Sequence, residues 1–390
     1  MPGIKKNAKQ KIHLPAIKRE HSMQNQPNRF YGLDHLRALA IMLVFLFHYQ
    51  VPIYGRPQWL VQSAKFGWIG VDLFFVLSGF LIASQLFIQI KEQQRLLVKD
   101  FFIKRIFRIL PAYFVVLAIY ILWPFFHERE ALPATWRFLT FTQNFGLNIK
   151  TYGTFSHAWS LCVEEHFYLL LPFTLLLLLY TRSFKRAGWI IAVLFISGFF
   201  IRHFGFHQLY LPEMEKEPSW HLWYQYIYYP TYNRLDGLLA GVSIAGIYQF
   251  YPALFARITQ YGNMLLILSL VVLTGAYFVC EDQHSYAASI FGFPLVAVGF
   301  GLMVLGAISA NSFLYRWNSR IATFIAAMSY ALYLSHKGII HITQELLEPF
   351  IEKDSNSMLV ICLILSIAGA FVLNVLVEKP FMKLRKKLVK

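Results

Sequence analysis

Residues 358–377 read MLVICLILSIAGAFVLNVLV, twenty positions without a charge. About 20 apolar residues in a helix are what it takes to cross a hydrocarbon core of ~30 Å. Within such a core every backbone polar group must be satisfied by the segment itself, so the run can only be a helix. Similar charge-poor stretches fill residues 169–180 and 264–280. Of the 390 residues, 57% are hydrophobic and only 14% charged. An average soluble domain is roughly a quarter charged, so the composition is that of an integral membrane protein.

Hydropathy and loop charge then divide the chain. Spans are expected near 36–53, 69–90, 106–126, 158–180, 188–206, 229–249, 262–280, 288–308, 321–345 and 358–378. The fold class is therefore all-α and polytopic, with about ten transmembrane helices. The net charge of +16 gathers in the N-terminal tail, in alternate loops and at the C-terminus, whereas the loops at 213–217, 281–283 and 348–354 are acidic. Such a bias places both termini in the cytoplasm of a bacterial-type inner (plasma) membrane. Three parts follow: a flexible basic tail over 1–30, a membrane domain over 31–380 and a basic cytoplasmic C-terminus over 381–390. The first span has no small-residue cleavage site after it and is expected to stay uncleaved. Residues 134–149 are polar in their second half and read as an interfacial or re-entrant segment. No basic folded domain is visible, so membrane lipid rather than nucleic acid is the expected partner. Cys162, Cys280 and Cys362 are too few and too scattered for a disulfide framework or a zinc site, and no metal is expected.

Ionisable groups inside spans cost on the order of 2.5–3.5 kcal/mol each, so they are rarely idle. In the first span Arg37 and His48 are eleven residues apart. At ~100° per residue they return to within roughly 20° of one face, about 16 Å apart along the axis. Taken alone, they could be a snorkelling arginine and a packed histidine. Asp72 stands early in the second span, at about the depth of His48, with Ser78 and Gly79 deeper, where packing alone would explain small residues. Arg105 and Arg108 share a face at the mouth of the third span. Ordinary cytoplasmic anchoring competes with a ligand role there, although forked guanidiniums suit phosphate. Glu164 and Glu165 are adjacent carboxylates near the outer end of an apolar span, with Ser160 one turn earlier. A structural ion pair accounts for one of them more easily than for both. Arg234 and Asp236 open the sixth span, and His336 and Lys337 lie in the ninth.

Together these segments carry a resemblance. The Arg37–His48 spacing, GVDLFFVLSGFLI, KRIFRILPAYF, WSLCVEEHFYLLLP, RLDGLLAG, SYALYLSH and VEKPF occur in order over nearly the whole chain. In this they resemble the membrane acyltransferase-3 family, multi-span O-acyltransferases that modify envelope glycans and other hydroxyl acceptors. The chain departs from the family pattern at Cys162, where serine is common, and at His166, where glutamine is common. It also has Ser335-His336-Lys337 where Trp-His-Pro is usual. Many family members append a soluble domain, which is not expected here.

The resemblance implies an enzyme that moves an acyl group from cytosolic acyl-CoA, expected to be acetyl-CoA, to a carbohydrate or other hydroxyl at the outer face. Arg37, Arg105 and Arg108 would hold the phosphates of the donor, since a polyanion needs cations at the inner mouth. His48 is the natural general base, because imidazole titrates near neutrality. Asp72, Glu164 or Glu165 would fix its tautomer, as in a catalytic triad. Ser78, Ser160 and Arg234 are assigned to substrate binding. Direct attack is expected rather than an acyl-enzyme. A transporter, or a family member without catalysis, is the competing reading. Transporters usually show internal repeats, and none is visible.

Overall fold

The structure is a computed structural model that describes residues 30–388 apart from Pro52. The expected basic tail, but for Phe30, and the last two residues lie outside the described residues. Helices and turns account for the described chain, and no strand occurs among these residues. Ten helices follow the expected spans in order: α1 (Tyr31–Tyr49), α2 (Ile69–Gln93), α3 (Val98–Leu122), α4 (Trp159–Tyr180), α5 (Ala187–Phe204), α6 (Asp236–Phe250), α7 (Gly262–Val279), α8 (Phe293–Ala307), α9 (Arg320–Leu347) and α10 (Asn356–Leu373). A π-helical turn at Asn374–Glu378 carries the chain into α11 (Lys379–Leu388).

Eight of the described helical segments are long and apolar enough to cross a membrane, and nine if a bent pair counts as one span. The two that stand apart have identifiable reasons. The chain turns by 112° between α6 and a short helix at Pro252–Thr259. At 28 residues α9 is ample in length, but it buries Ser329, Ser335, His336, Lys337, Thr343 and Gln344, which lowers its hydropathy. Hydropathy counts what a helix carries, not which neighbour covers it.

Inside the bundle α2 packs on α1, α6 and α8, while α1 also packs on α9. α7 and α10 lie outside α8 and α9, and their outward leucines, isoleucines and valines are exposed. α2 and α6 touch backbone to backbone. A Cβ at Gly79 would strike the Leu238 carbonyl, and one at Gly241 would strike the backbone of Val76 and Phe80. Gly237 and Gly241 are four apart and share a helix face, the small-residue spacing that lets membrane helices touch backbone to backbone.

Two buried ion pairs fasten this contact to its surroundings. Arg234 Nη2 donates to both carboxylate oxygens of Asp72, at 2.8 and 3.0 Å. Its guanidinium also lies over the rings of Phe293 (4.0 Å) and Tyr228 (4.4 Å). From α5, Arg202 makes a two-point pair with Asp236 at 2.7 and 3.2 Å. Residues 134–149 contain only a five-residue helix, Thr135–Leu139, followed by turns. Gln143 and Asn144 are buried there, and Asn144 Nδ2 donates to Tyr229 O (3.1 Å) and Thr231 Oγ1 (2.8 Å). The segment thus folds into the protein and does not form a spanning helix.

Because both sides of the α2–α6 contact are backbone, Gly241→Leu is expected to destabilise the fold by roughly 1–3 kcal/mol, the usual cost of overpacking. Thermal unfolding in detergent should show this. Gly188→Leu on α5, where a Cβ meets nothing within 4 Å, should leave the midpoint in place. Equal midpoints for both variants would refute the tight contact.

Candidate active site

Three arginines reach one chamber from two helices. Arg37 comes from α1, and Arg105 and Arg108 come from one face of α3. Opposite them Glu164 of α4 accepts from Ser78 Oγ at 2.9 Å and from Tyr168 Oη at 2.7 Å, one partner on each carboxylate oxygen. Arg105 donates to Gln85 Oε1 at 2.8 Å and lies over the Tyr168 ring. Among the described residues no hydrogen bond or close ion pair holds Arg37 or Arg108, although Asp34 lies within electrostatic reach of Arg37 and Glu378 of Arg108, and both guanidiniums line the cavity.

A second chamber lies at the other end of α1, where His48 is half-buried. Three imidazoles meet at its edge. The His48 and His336 ring centroids are 5.0 Å apart, those of His157 and His336 5.1 Å, and those of His48 and His157 5.8 Å. The hydrogen-bond network assigns the tautomers. His336 Nδ1 is 2.9 Å from the carbonyls of Leu332 and Tyr333, so it carries the proton and donates. Its Nε2 is then an acceptor, and it receives the His48 Nδ1–H at 2.8 Å. That leaves His48 Nε2 unprotonated, without a protein partner, as the proton-accepting atom. His157 Nε2 donates to Leu334 O at 3.2 Å, which leaves its Nδ1 buried and unpaired.

The chamber wall is otherwise aromatic and cationic. Lys337 Nζ pairs with Glu128 Oε1 at 2.7 Å and donates to Ser156 Oγ at 3.2 Å, all buried. Trp68, Trp159, Trp220, Tyr224, Tyr228 and Tyr229 supply ring faces. Arg129 lies over Trp220 at 5.7 Å. Val71 of α2 lines both chambers and stands between them. Next to it, consecutive residues of α4 divide between them, with Trp159 on the histidine side and Ser160 on the arginine side.

This arrangement gathers most of the residues singled out in the sequence but corrects several relations. Arg37, Arg105, Arg108, Ser78, Ser160 and Glu164 share the arginine chamber, and His48 opens the other. Glu164 does not stand beside His48. It lies seven residues into α4 from His157, roughly 10 Å along the axis, and engages Ser78 and Tyr168. Glu165, turned ~100° from it, makes no hydrogen bond and lines neither chamber. Asp72 does not orient His48, because Arg234 takes both its oxygens, and Arg234 lines neither chamber. The His48 tautomer is set by His336 instead. Ser160 Oγ donates to Tyr333 Oη at 2.6 Å, and Tyr333 donates in turn to His157 O at 2.6 Å.

Sequence reasoning missed His157 and Glu128 and gave His336 no role. A signal for His157 existed: with Ser160 and Glu164 it forms an i, i+3, i+7 stripe. Glu128 stands in a loop after α3, and nothing in its neighbourhood marks it as the partner of a lysine two hundred residues away.

The helical bundle is that of a multi-pass membrane protein, and comparison with known proteins names its family. A model of the acyltransferase domain family matches residues 30–375, and the chain belongs to that family. A peptidoglycan O-acetyltransferase of Listeria monocytogenes is 29% identical over 345 residues, which is 81% of this chain and 50% of the relative. An O-acetyltransferase of Staphylococcus aureus is 25% identical over 334 residues, 80% of this chain and 51% of the relative. The chain thus spans about half the length of the curated relatives it matches. No solved structure matches it.

The Lys337–Glu128 pair provides a direct test of the chamber. Glu128→Ala strands a buried ammonium and is expected to cost about 3–5 kcal/mol. Adding Lys337→Met should recover most of that loss. Thermal unfolding of the two variants measures it; a double variant as unstable as the single one would contradict the pairing.

Proposed function

We propose that this chain is a membrane O-acetyltransferase that takes an acetyl group from acetyl-CoA in the arginine chamber and delivers it to a carbohydrate hydroxyl in the histidine chamber. The observation that carries the reading is the seam at Val71, where the chamber with unspent cations adjoins the one that presents an unprotonated imidazole nitrogen. Family membership and O-acetyltransferase relatives support the reaction class. The arginine end faces the cytoplasm in this reading, in keeping with the basic ends of the chain, and the membrane is a bacterial-type inner membrane.

In the reaction, the acceptor hydroxyl gives its proton to His48 Nε2 as its oxygen attacks the thioester carbonyl. The tetrahedral oxyanion collapses, the carbon–sulfur bond breaks, and the departing thiolate takes up the proton held on His48 Nε2, which restores the base. His336 holds the His48 ring by accepting the Nδ1 proton, and the Nδ1–H of His336 is held in turn by two carbonyls of α9. The Lys337 ammonium, fixed by Glu128 and Ser156, adds positive potential where negative charge develops, the electrostatic contribution that usually dominates acyl transfer. The aromatic faces around His48 match the apolar faces of sugar rings. The peptidoglycan named for the Listeria relative is one such acceptor.

Two variants test this. His48→Ala should lower O-acetylation of envelope glycans about 10²–10⁴-fold, the usual worth of a general base, at unchanged protein level. Undiminished acetylation would sink the mechanism. Val71→Trp fills the seam and should abolish transfer while acetyl-CoA binding persists; full transfer in that variant would show that the acetyl group takes another route.

A further inference from the structure

A third cavity opens on the arginine chamber from the side away from His48. Arg37, Arg108, Ser329 and Tyr330 line both spaces, so the two adjoin. The new cavity measures about 420 Å³ against about 120 Å³ for the arginine chamber, a wide vestibule before a narrow neck. Its far wall is α11, which contributes Lys379, Lys383 and Lys386. Five cations thus face two carboxylates, Asp34 and Glu378, and Glu378 is already engaged by Asn374 Nδ2 at 2.6 Å.

The placement of these lysines is patterned. At ~100° per residue Lys379, Lys383 and Lys386 fall within roughly 60° of one another, while Phe381, Leu384 and Leu388 centre about 180° away. Those three apolar residues are 40–57% exposed, and Phe381 also meets Phe107 of α3. A helix lying at a membrane surface ordinarily turns its basic side to headgroups and water. α11 instead turns its lysine stripe into the vestibule, beside two arginines from other helices. The other basic residues of the helix, Arg385 and Lys387, line neither the vestibule nor the arginine chamber, although Arg385 lies within electrostatic reach of Arg108.

We infer that α11 is a phosphate clamp, and that Lys379, Lys383 and Lys386 bind the phosphorylated nucleotide end of the acyl-CoA donor in this vestibule. The inference rests on the donor reading above and deepens it. The bulky polyanionic end stays in the wide space, and the slender pantetheine arm enters the neck between Arg37 and Arg108 toward Val71. Arg105, which lines the arginine chamber but not the vestibule and is held by Gln85, then serves the arm rather than the nucleotide.

Anionic lipid headgroups offer the same phosphate chemistry, so the experiment separates the two sources. The purified full chain, in nanodiscs with and without phosphatidylglycerol, is titrated with acetyl-CoA, acetyl-3′-dephospho-CoA and acetyl-pantetheine by calorimetry. Three forms are compared: wild type, the triple variant Lys379→Gln/Lys383→Gln/Lys386→Gln and a control, Arg385→Gln/Lys387→Gln. Wild type and control should prefer acetyl-CoA to acetyl-pantetheine by tenfold or more. The triple variant should lose that preference and keep its weak binding of acetyl-pantetheine, which also shows that it is folded. Unchanged acetyl-CoA affinity in the triple variant overturns the clamp and leaves the donor reading standing. An equal loss in the control overturns it as a nonspecific charge effect. A triple variant altered only in its response to phosphatidylglycerol assigns the lysines to lipid and overturns it too. Absence of acetyl-CoA binding in wild type removes the donor reading and the clamp together.

Discussion

A charged or titratable side chain between apolar helices must either find a partner or face a cavity, because the cost of leaving it bare in a low-dielectric interior is several kcal/mol. Both solutions appear here, and they sort the polar residues of this protein into two sets. Asp72, Arg234, Arg202 and Asp236 are spent on one another and fasten α2, α5 and α6. Arg37, Arg108 and His48 Nε2 are held by no hydrogen bond among the described residues and open onto chambers. Charges paired with one another specify the bundle. Unpaired ones are free for a ligand.

The rigidity of the first set gives the second its geometry. α2 is held against α6 through Gly79, Gly237 and Gly241 with no room for adjustment, so Val71 and Ser78 are fixed on the same helix that bears Asp72. One face of α2 then walls both chambers while its other side is locked by Arg234. On α9 a single polar stripe supplies Tyr333, His336 and Lys337, which orient Ser160, His48 and Glu128 respectively. Sequence neighbours on two helices therefore tie the seam to the base. In the proposed reaction this means the thioester carbonyl and the acceptor hydroxyl are brought together without a large movement of the bundle.

Much of the fold was legible because helix length and hydropathy are local properties. All ten expected spans correspond to helices, even α9, whose buried polar face would count against it in any average. The arginine chamber was also legible in outline, since Arg37, Arg105 and Arg108 are spaced to share faces of their own helices. What could not be read was the register between helices. Asp72 was expected beside His48 from its depth alone, yet rotation about α2 turns it to Arg234. His48 and His336 are 288 residues apart, and no local pattern announces that their nitrogens come within 2.8 Å. His336 stands in a motif that departs from the family pattern, which obscured it further, whereas the stripe of His157, Ser160 and Glu164 was available and went unread.

In the proposed function an acetyl group passes from the arginine side to the histidine side of the membrane past Val71. Sealed proteoliposomes holding radiolabelled acetyl-CoA on the arginine side, with soluble peptidoglycan fragments only on the other side, test it most directly. The account predicts ester-linked label on the fragments while acetyl-CoA itself stays confined. Label that leaves acetyl-CoA only when the fragments share its compartment would contradict it.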